Sequence, residues 1–111
     1  MDTKQFEYEV ARFFEEGTTE ETLFLGLASE VGEVMQSRVK ETRKGLECTA
    51  EITDELGDVL WYITTIAKAR GYSLSDIMQD VLDKLDARAL GKTITGSKFD
   101  EYGFYGKNNL L

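Results

Sequence analysis

Glu55-Leu56-Gly57-Asp58-Val59-Leu60-Trp61-Tyr62-Ile63 decides how this chain folds. Two carboxylates stand three residues apart, and an unbroken apolar and aromatic run follows them. On a helix, positions i and i+3 share a face, so the two acids sit side by side. A helix that is apolar nearly all round is buried on most sides. The acids therefore lie close to a core. The same signature occurs earlier as Glu30-Val31-Gly32-Glu33, again inside an apolar-periodic segment.

Working outward, four helices are predicted. The first runs from Thr3 to Glu16 with Asp2 as its cap, and Phe6, Val10, Phe13 and Phe14 recur on its core side. Gly17 ends it. Thr18-Thr19-Glu20-Glu21 reads as a capping box, hydroxyl first and carboxylate three later. It opens a long helix with Leu23, Leu27, Val31, Val34 and Val39 inward, ending at Lys44 before Gly45. The third helix spans Ala50 to Arg70 and stops at Gly71. Ser73-Leu74-Ser75-Asp76 is another capping box, opening a helix from Leu74 to Leu90 with Ile77, Val81, Leu82 and Leu85 as its stripe. Gly91 closes it. Residues 92–111 change character, with three further glycines and four aromatics, and read as an extended arm. The expected fold is all-α: a four-helix bundle unit with a C-terminal arm, one domain over residues 1–111. Its apolar positions exceed what a single copy covers, so a homodimer or homotetramer completes it.

The chain has 111 residues and a net charge of −8. That sign opposes a nucleic-acid surface, which is normally basic. No run has transmembrane length and no basic-then-apolar leader begins the chain. One cysteine, Cys48, cannot form an internal disulfide, so a cytoplasmic setting is expected. There is no histidine. This removes the Ser-His-Asp triad, the His-based zinc site and the Glu-x-x-His di-iron site. Cys48 lacks an activating base and reads as a helix-start residue.

The four motif acids admit two readings. They form a solvated face, or they converge on a hard divalent cation with oxygen ligands. Neighbouring Val31, Val34, Leu56, Val59 and Leu60 bring that face near the core. A glycine precedes the second acid of each motif. Inside a helix it costs about 1 kcal/mol against alanine, and it is tolerated where a backbone or ligand must approach closely. An anionic protein that binds a polyphosphate needs such a cation at its site.

The joint pattern Glu30-x-x-Glu33, 21 residues, Glu55-x-x-Asp58 resembles the MazG-like all-alpha nucleoside triphosphate pyrophosphohydrolases. Gly26-Leu27-Ala28-Ser29-Glu30-Val31-Gly32-Glu33, Asp54 to Tyr62, and Lys84-Leu85-Asp86-Ala87-Arg88 are similar to that family's helices. The likeness covers roughly residues 20 to 97. It implies a MazG-like bundle that hydrolyses a nucleoside triphosphate to the monophosphate and pyrophosphate. It implies Mg²⁺, with Mn²⁺ able to substitute, held by Glu30, Glu33, Glu55 and Asp58, and Glu33 orienting or deprotonating the attacking water. Lys84 and Arg88 match the family's basic positions and are expected at the phosphates. Lys40, two helical turns after Glu33 on the same face, is a further phosphate candidate. Val81 stands where relatives carry asparagine. Tyr62 falls four residues after Asp58 on the metal face, while Trp61 points about 100° away; either stacks on a base or ribose, or serves core and subunit interface. Phosphoribosyl-ATP pyrophosphohydrolysis and a non-catalytic helical interaction module are the alternatives.

Overall fold

A computed structural model describes residues 1–91. These residues are all-helical: α1 Thr3–Ala11, α2 Glu20–Lys44, α3 Thr49–Ala69 and α4 Leu74–Ala89. The expected arm, residues 92–111, lies outside the described residues. The chain divides into two compact units, Met1–Leu74 and the part that begins at Ser75. None of the described helices is long and apolar enough to cross a membrane.

In the first unit α2 and α3 pack side by side and α1 contacts α3. The pairing of α2 with α3 is antiparallel, and polar contacts fix its register. At one end the Arg70 guanidinium donates through Nε and Nη2 to both Glu20 oxygens, each at 2.7 Å. At the other, the Ser37 hydroxyl and the Lys40 ammonium both donate to Glu51 Oε1, at 2.9 and 2.6 Å. The core is small: Val10, Leu23, Cys48, Ala67 and Leu74 are its buried apolar residues.

Helix ends follow local chemistry. Asp2 caps α1 by accepting from the Gln5 amide, as predicted. The helix is shorter than predicted and stops at Ala11. Phe13 and Phe14 then donate to carbonyls three residues back, at Val10 and Ala11, so the last turn tightens and leaves the helical stripe. Phe13 is consequently 68% exposed and Phe14 43%, not the core residues expected of them. The α2 cap is Thr19, one residue later than the capping box placed it, and its hydroxyl oxygen accepts from the Thr22 amide. Thr18 instead donates to the Glu15 carbonyl. Gly45 ends α2 with φ 66°, a left-handed cap that glycine adopts without strain.

Cys48 begins α3 without a side-chain cap of its own. Its backbone N–H donates to Glu41 Oε2 at 2.9 Å, so a residue of α2 does the capping. That bond, with Arg38 second, holds the Glu41 carboxyl below its ordinary range. Glu41→Ala removes the acceptor beside a buried residue. The expected result is a fall in Tm of about 4–8 °C, the size of one lost cap in a domain of this length. Thermal unfolding followed by circular dichroism checks it; an unchanged Tm would show that solvent replaces Glu41 without cost.

The apolar half of α3 is less covered than its sequence suggests. Leu60 is 39% exposed, Leu56 one turn before it is exposed too, and Val31 and Met35 of α2 are exposed as well. The described chain offers α3 only α1 and α2 in the first unit, which cannot surround it.

Candidate metal and nucleotide site

The antiparallel register sets Glu30 and Glu33 of α2 opposite Glu55 and Asp58 of α3. Glu30, Glu55 and Asp58 each offer an oxygen, and these three lie within 4.8 Å of one another. That is close to the about 4.2 Å spanned by opposite oxygens of a Mg²⁺ ion with ligands at about 2.1 Å. Glu33 is exposed and stands outside that triad, yet it shares a hydrogen bond with Glu55 and repels Glu30.

Two of the acids, Glu55 and Glu30, resist ionisation. The Glu55 carboxyl is pushed up to about 7, first by the proton it shares with Glu33, then by burial and by repulsion from Glu33 and Glu30. Glu30 is also raised, first by burial and then by Glu33. Glu30 Oε2 and Glu55 Oε2 are buried and have no hydrogen-bond partner. An acceptor buried without a donor is costly. Hard carboxylate oxygens, three of them convergent and two lacking a donor, are a donor set that suits Mg²⁺ or Mn²⁺.

A stability consequence follows in metal-free solution. Because Glu55 and Glu30 titrate above their ordinary range when folded, the native state holds more protons than the unfolded chain between about 4.5 and about 7. Stability from these groups is full below that window and is lost as the pH rises through it. In EDTA, Tm is expected to be higher at pH 5.5 than at pH 8, and Glu55→Gln is expected to flatten the slope. Glu41 and Glu51 are shifted the other way, so their contributions are lost only in more acid solution. A differential scan across pH in both proteins checks this; parallel slopes would assign the effect to overall charge.

Beside the acids opens a recess of about 370 Å³ lined by Phe13, Glu30, Asp58, Trp61 and Tyr62. Trp61 and Tyr62 meet edge to face, with ring centroids 5.0 Å apart and planes at 80°. The Tyr62 ring lies against the α2 backbone at Gly26: a Cβ there would come within 2.5 Å of Tyr62 Cζ and 2.6 Å of its hydroxyl oxygen. Gly32 and Gly57, the glycines inside the motifs, would meet no atom within 4 Å. The close approach foreseen for them occurs at Gly26 instead.

Of the expected site residues, Glu30, Glu33, Glu55, Asp58 and Tyr62 come together. Lys40, expected at the phosphates, is paired here with Glu51 across the α2–α3 seam. Lys84 and Arg88 lie one turn apart on α4, beyond the first unit. Four participants were not foreseen. Phe13 was assigned to the core. Ser37 follows Glu33 by four residues and Glu51 precedes Glu55 by four, a helical spacing that extends the acidic face by one turn each way. Gly26 precedes Glu30 by the same interval.

No curated protein and no solved structure matches this chain. A family model, the MazG nucleotide pyrophosphohydrolase domain, matches residues 18–90, which contain α2, α3, α4 and all four motif acids. The match covers most of the chain, and with the all-helical fold and the opposed acidic pairs it means that this protein belongs to the MazG nucleotide pyrophosphohydrolase family.

Proposed function

We propose that the protein hydrolyses a nucleoside or deoxynucleoside triphosphate to the monophosphate and pyrophosphate in a Mg²⁺-dependent reaction that controls a nucleotide pool. The observation that carries this reading is the convergence of Glu30, Glu55 and Asp58 within 4.8 Å, with two of their buried oxygens lacking any donor. Mg²⁺ bound there, or Mn²⁺ in its place, supplies positive charge and Lewis acidity to the triphosphate. Glu30, Glu55 and Asp58 hold the cation and Glu33 completes the set. Glu33 is also the proposed catalytic base, because it is exposed and hydrogen-bonds to Glu55. Its carboxylate orients a water toward the α-phosphorus and takes a proton from it. The new P–O bond forms as the α–β bridging bond breaks, and pyrophosphate leaves with the bridging oxygen. With no histidine in the chain, a carboxylate is the available base at this position.

The aromatic recess beside the acids supports a place for the base. Phe13, Trp61 and Tyr62 offer ring faces next to Glu30 and Asp58, and stacking on rings tolerates any base. On α4, taken by itself, Lys84 and Arg88 share a face one turn apart and are the proposed phosphate ligands. The exposed Val31, Met35, Leu56 and Leu60 support a homodimer or homotetramer, which light scattering after gel filtration tests.

The test of the reaction is product analysis after incubation with each common and modified (d)NTP, in Mg²⁺ and in EDTA. Monophosphate and pyrophosphate formed in Mg²⁺ alone are expected. Monophosphate with two equivalents of orthophosphate and no transient pyrophosphate would overturn attack at the α-phosphorus.

A further inference from the structure

Ser37 is the most buried side chain among the described residues, at 1% exposure, although it is polar. Its hydroxyl donates to Glu51 Oε1 at 2.9 Å, and the same oxygen takes the Lys40 ammonium at 2.6 Å. Three groups from two helices thus meet one turn from Glu33 on α2 and one turn from Glu55 on α3. The setting is demanding. Four carboxylates face one another across the α2–α3 seam, and repulsion among those that are ionised opposes the packing of the two helices. On the far side of the acids, Glu20 and Arg70 tie the same two helices together. The repelling cluster is therefore bracketed by an ion pair at each end.

We propose that Ser37, Glu51 and Lys40 form a clasp that pre-organises the cation site, with Glu51 as its positioning residue. Glu51 does not itself touch the cation. It holds α3 to α2 at the turn next to Glu55, so that Glu55 and Asp58 already face Glu30 and Glu33 before the cation arrives. Lys40 in this role is a structural cation that offsets the Glu51 charge. The buried Ser37 hydroxyl fixes the rotamer of Glu51, since a hydroxyl without room to move donates in one direction. Groups that support metal ligands in this way typically change metal affinity by about 10–100-fold when removed. The proposal rests on the reading of the acids as a Mg²⁺ site.

The test is Mg²⁺ binding to the nucleotide-free protein by titration calorimetry, which needs no turnover. Ser37→Ala leaves every charge in place and Glu51→Gln keeps an acceptor while removing the charge. Both are expected to weaken Mg²⁺ binding by about tenfold or more. Glu9→Ala is the control, since it removes an acid whose ion pair, with Arg12, stays within the first helical segment and does not join α2 to α3; its Mg²⁺ affinity is expected to stay within about twofold of wild type on that ground. Turnover of Ser37→Ala should recover at saturating Mg²⁺, a rescue that a loss of folded protein would not show. Equal Mg²⁺ affinity in wild type, Ser37→Ala and Glu51→Gln would overturn the clasp and leave the metal site standing. A Lys40→Met variant with unchanged Mg²⁺ affinity but a raised nucleotide KM would also overturn it, and make Lys40 a phosphate ligand. No Mg²⁺ heat from wild type would overturn the metal site and the clasp together.

Discussion

Glu55→Gln is expected to lower kcat by on the order of a hundred- to a thousandfold, the loss typical of one group that stabilises transition-state charge, while the protein stays folded. Glu55 stands where the two acidic pairs meet. Its partners include both α2 acids, its folded carboxyl titrates at about 7, and its Oε2 is buried without a donor. Glutamine keeps the volume and one oxygen but carries no charge, so it binds a hard cation weakly. The same change removes a like charge from a crowded cluster, and the amide can donate to Glu33 where the carboxylate could not. Stability and activity should therefore part company. In EDTA the variant is expected to melt at or above the wild-type temperature at pH 8, whereas the rise in Tm that Mg²⁺ gives wild type is expected to vanish. Turnover of whichever nucleotide wild type cleaves, and melting with and without Mg²⁺, are the two measurements. Asp58→Asn should repeat the activity loss. A variant that still turns over and is still stabilised by Mg²⁺ would remove Glu55 from the ligand set.

The contrast between these acids and their surroundings shows what the sequence made legible. Helix identity was readable because period, caps and glycine stops agree, as at Asp2, Gly45 and Gly71. The acidic pairs were readable because i, i+3 spacing within a helix is local information. What pairs across the seam is not local. Whether Lys40 reaches a phosphate or an acid depends on the α2–α3 register, and that register places Glu51 under it. Nothing in the sequence around Glu51 says that it pairs across the seam. Helical spacing carried through Arg12 puts Phe13 in the core, but the backbone tightens there into a turn and the ring lines the recess. The motif glycines drew attention by their position, yet a glycine's neighbour is a tertiary fact, and only Gly26 among the helical glycines of α2 and α3 has one.

Gly26→Ala is expected to raise the nucleotide KM by roughly tenfold, toward the lower end of the about 1–3 kcal/mol carried by one base–aromatic stack. The new methyl would sit within 2.5 Å of Tyr62 Cζ, so the ring must leave its place on α2 and tilt into the recess. Two terms compete in stability. Alanine gains about 1 kcal/mol over glycine in a helix interior, and overpacking costs about 1–3 kcal/mol. The net effect in wild-type background is a lower Tm. Removing the ring removes the second term. In a Tyr62→Ala background, Gly26→Ala is therefore expected to raise Tm, reversing sign, and to leave KM where Tyr62→Ala alone puts it. Gly32→Ala marks the limit of the argument, since its methyl would meet no atom within 4 Å and should stabilise the chain in either background. A four-corner cycle of melting and KM values reads all of this. If Gly26→Ala lowers Tm equally with and without the Tyr62 ring, the glycine serves something other than that ring. The recess would then lose its strongest link between helix packing and nucleotide recognition.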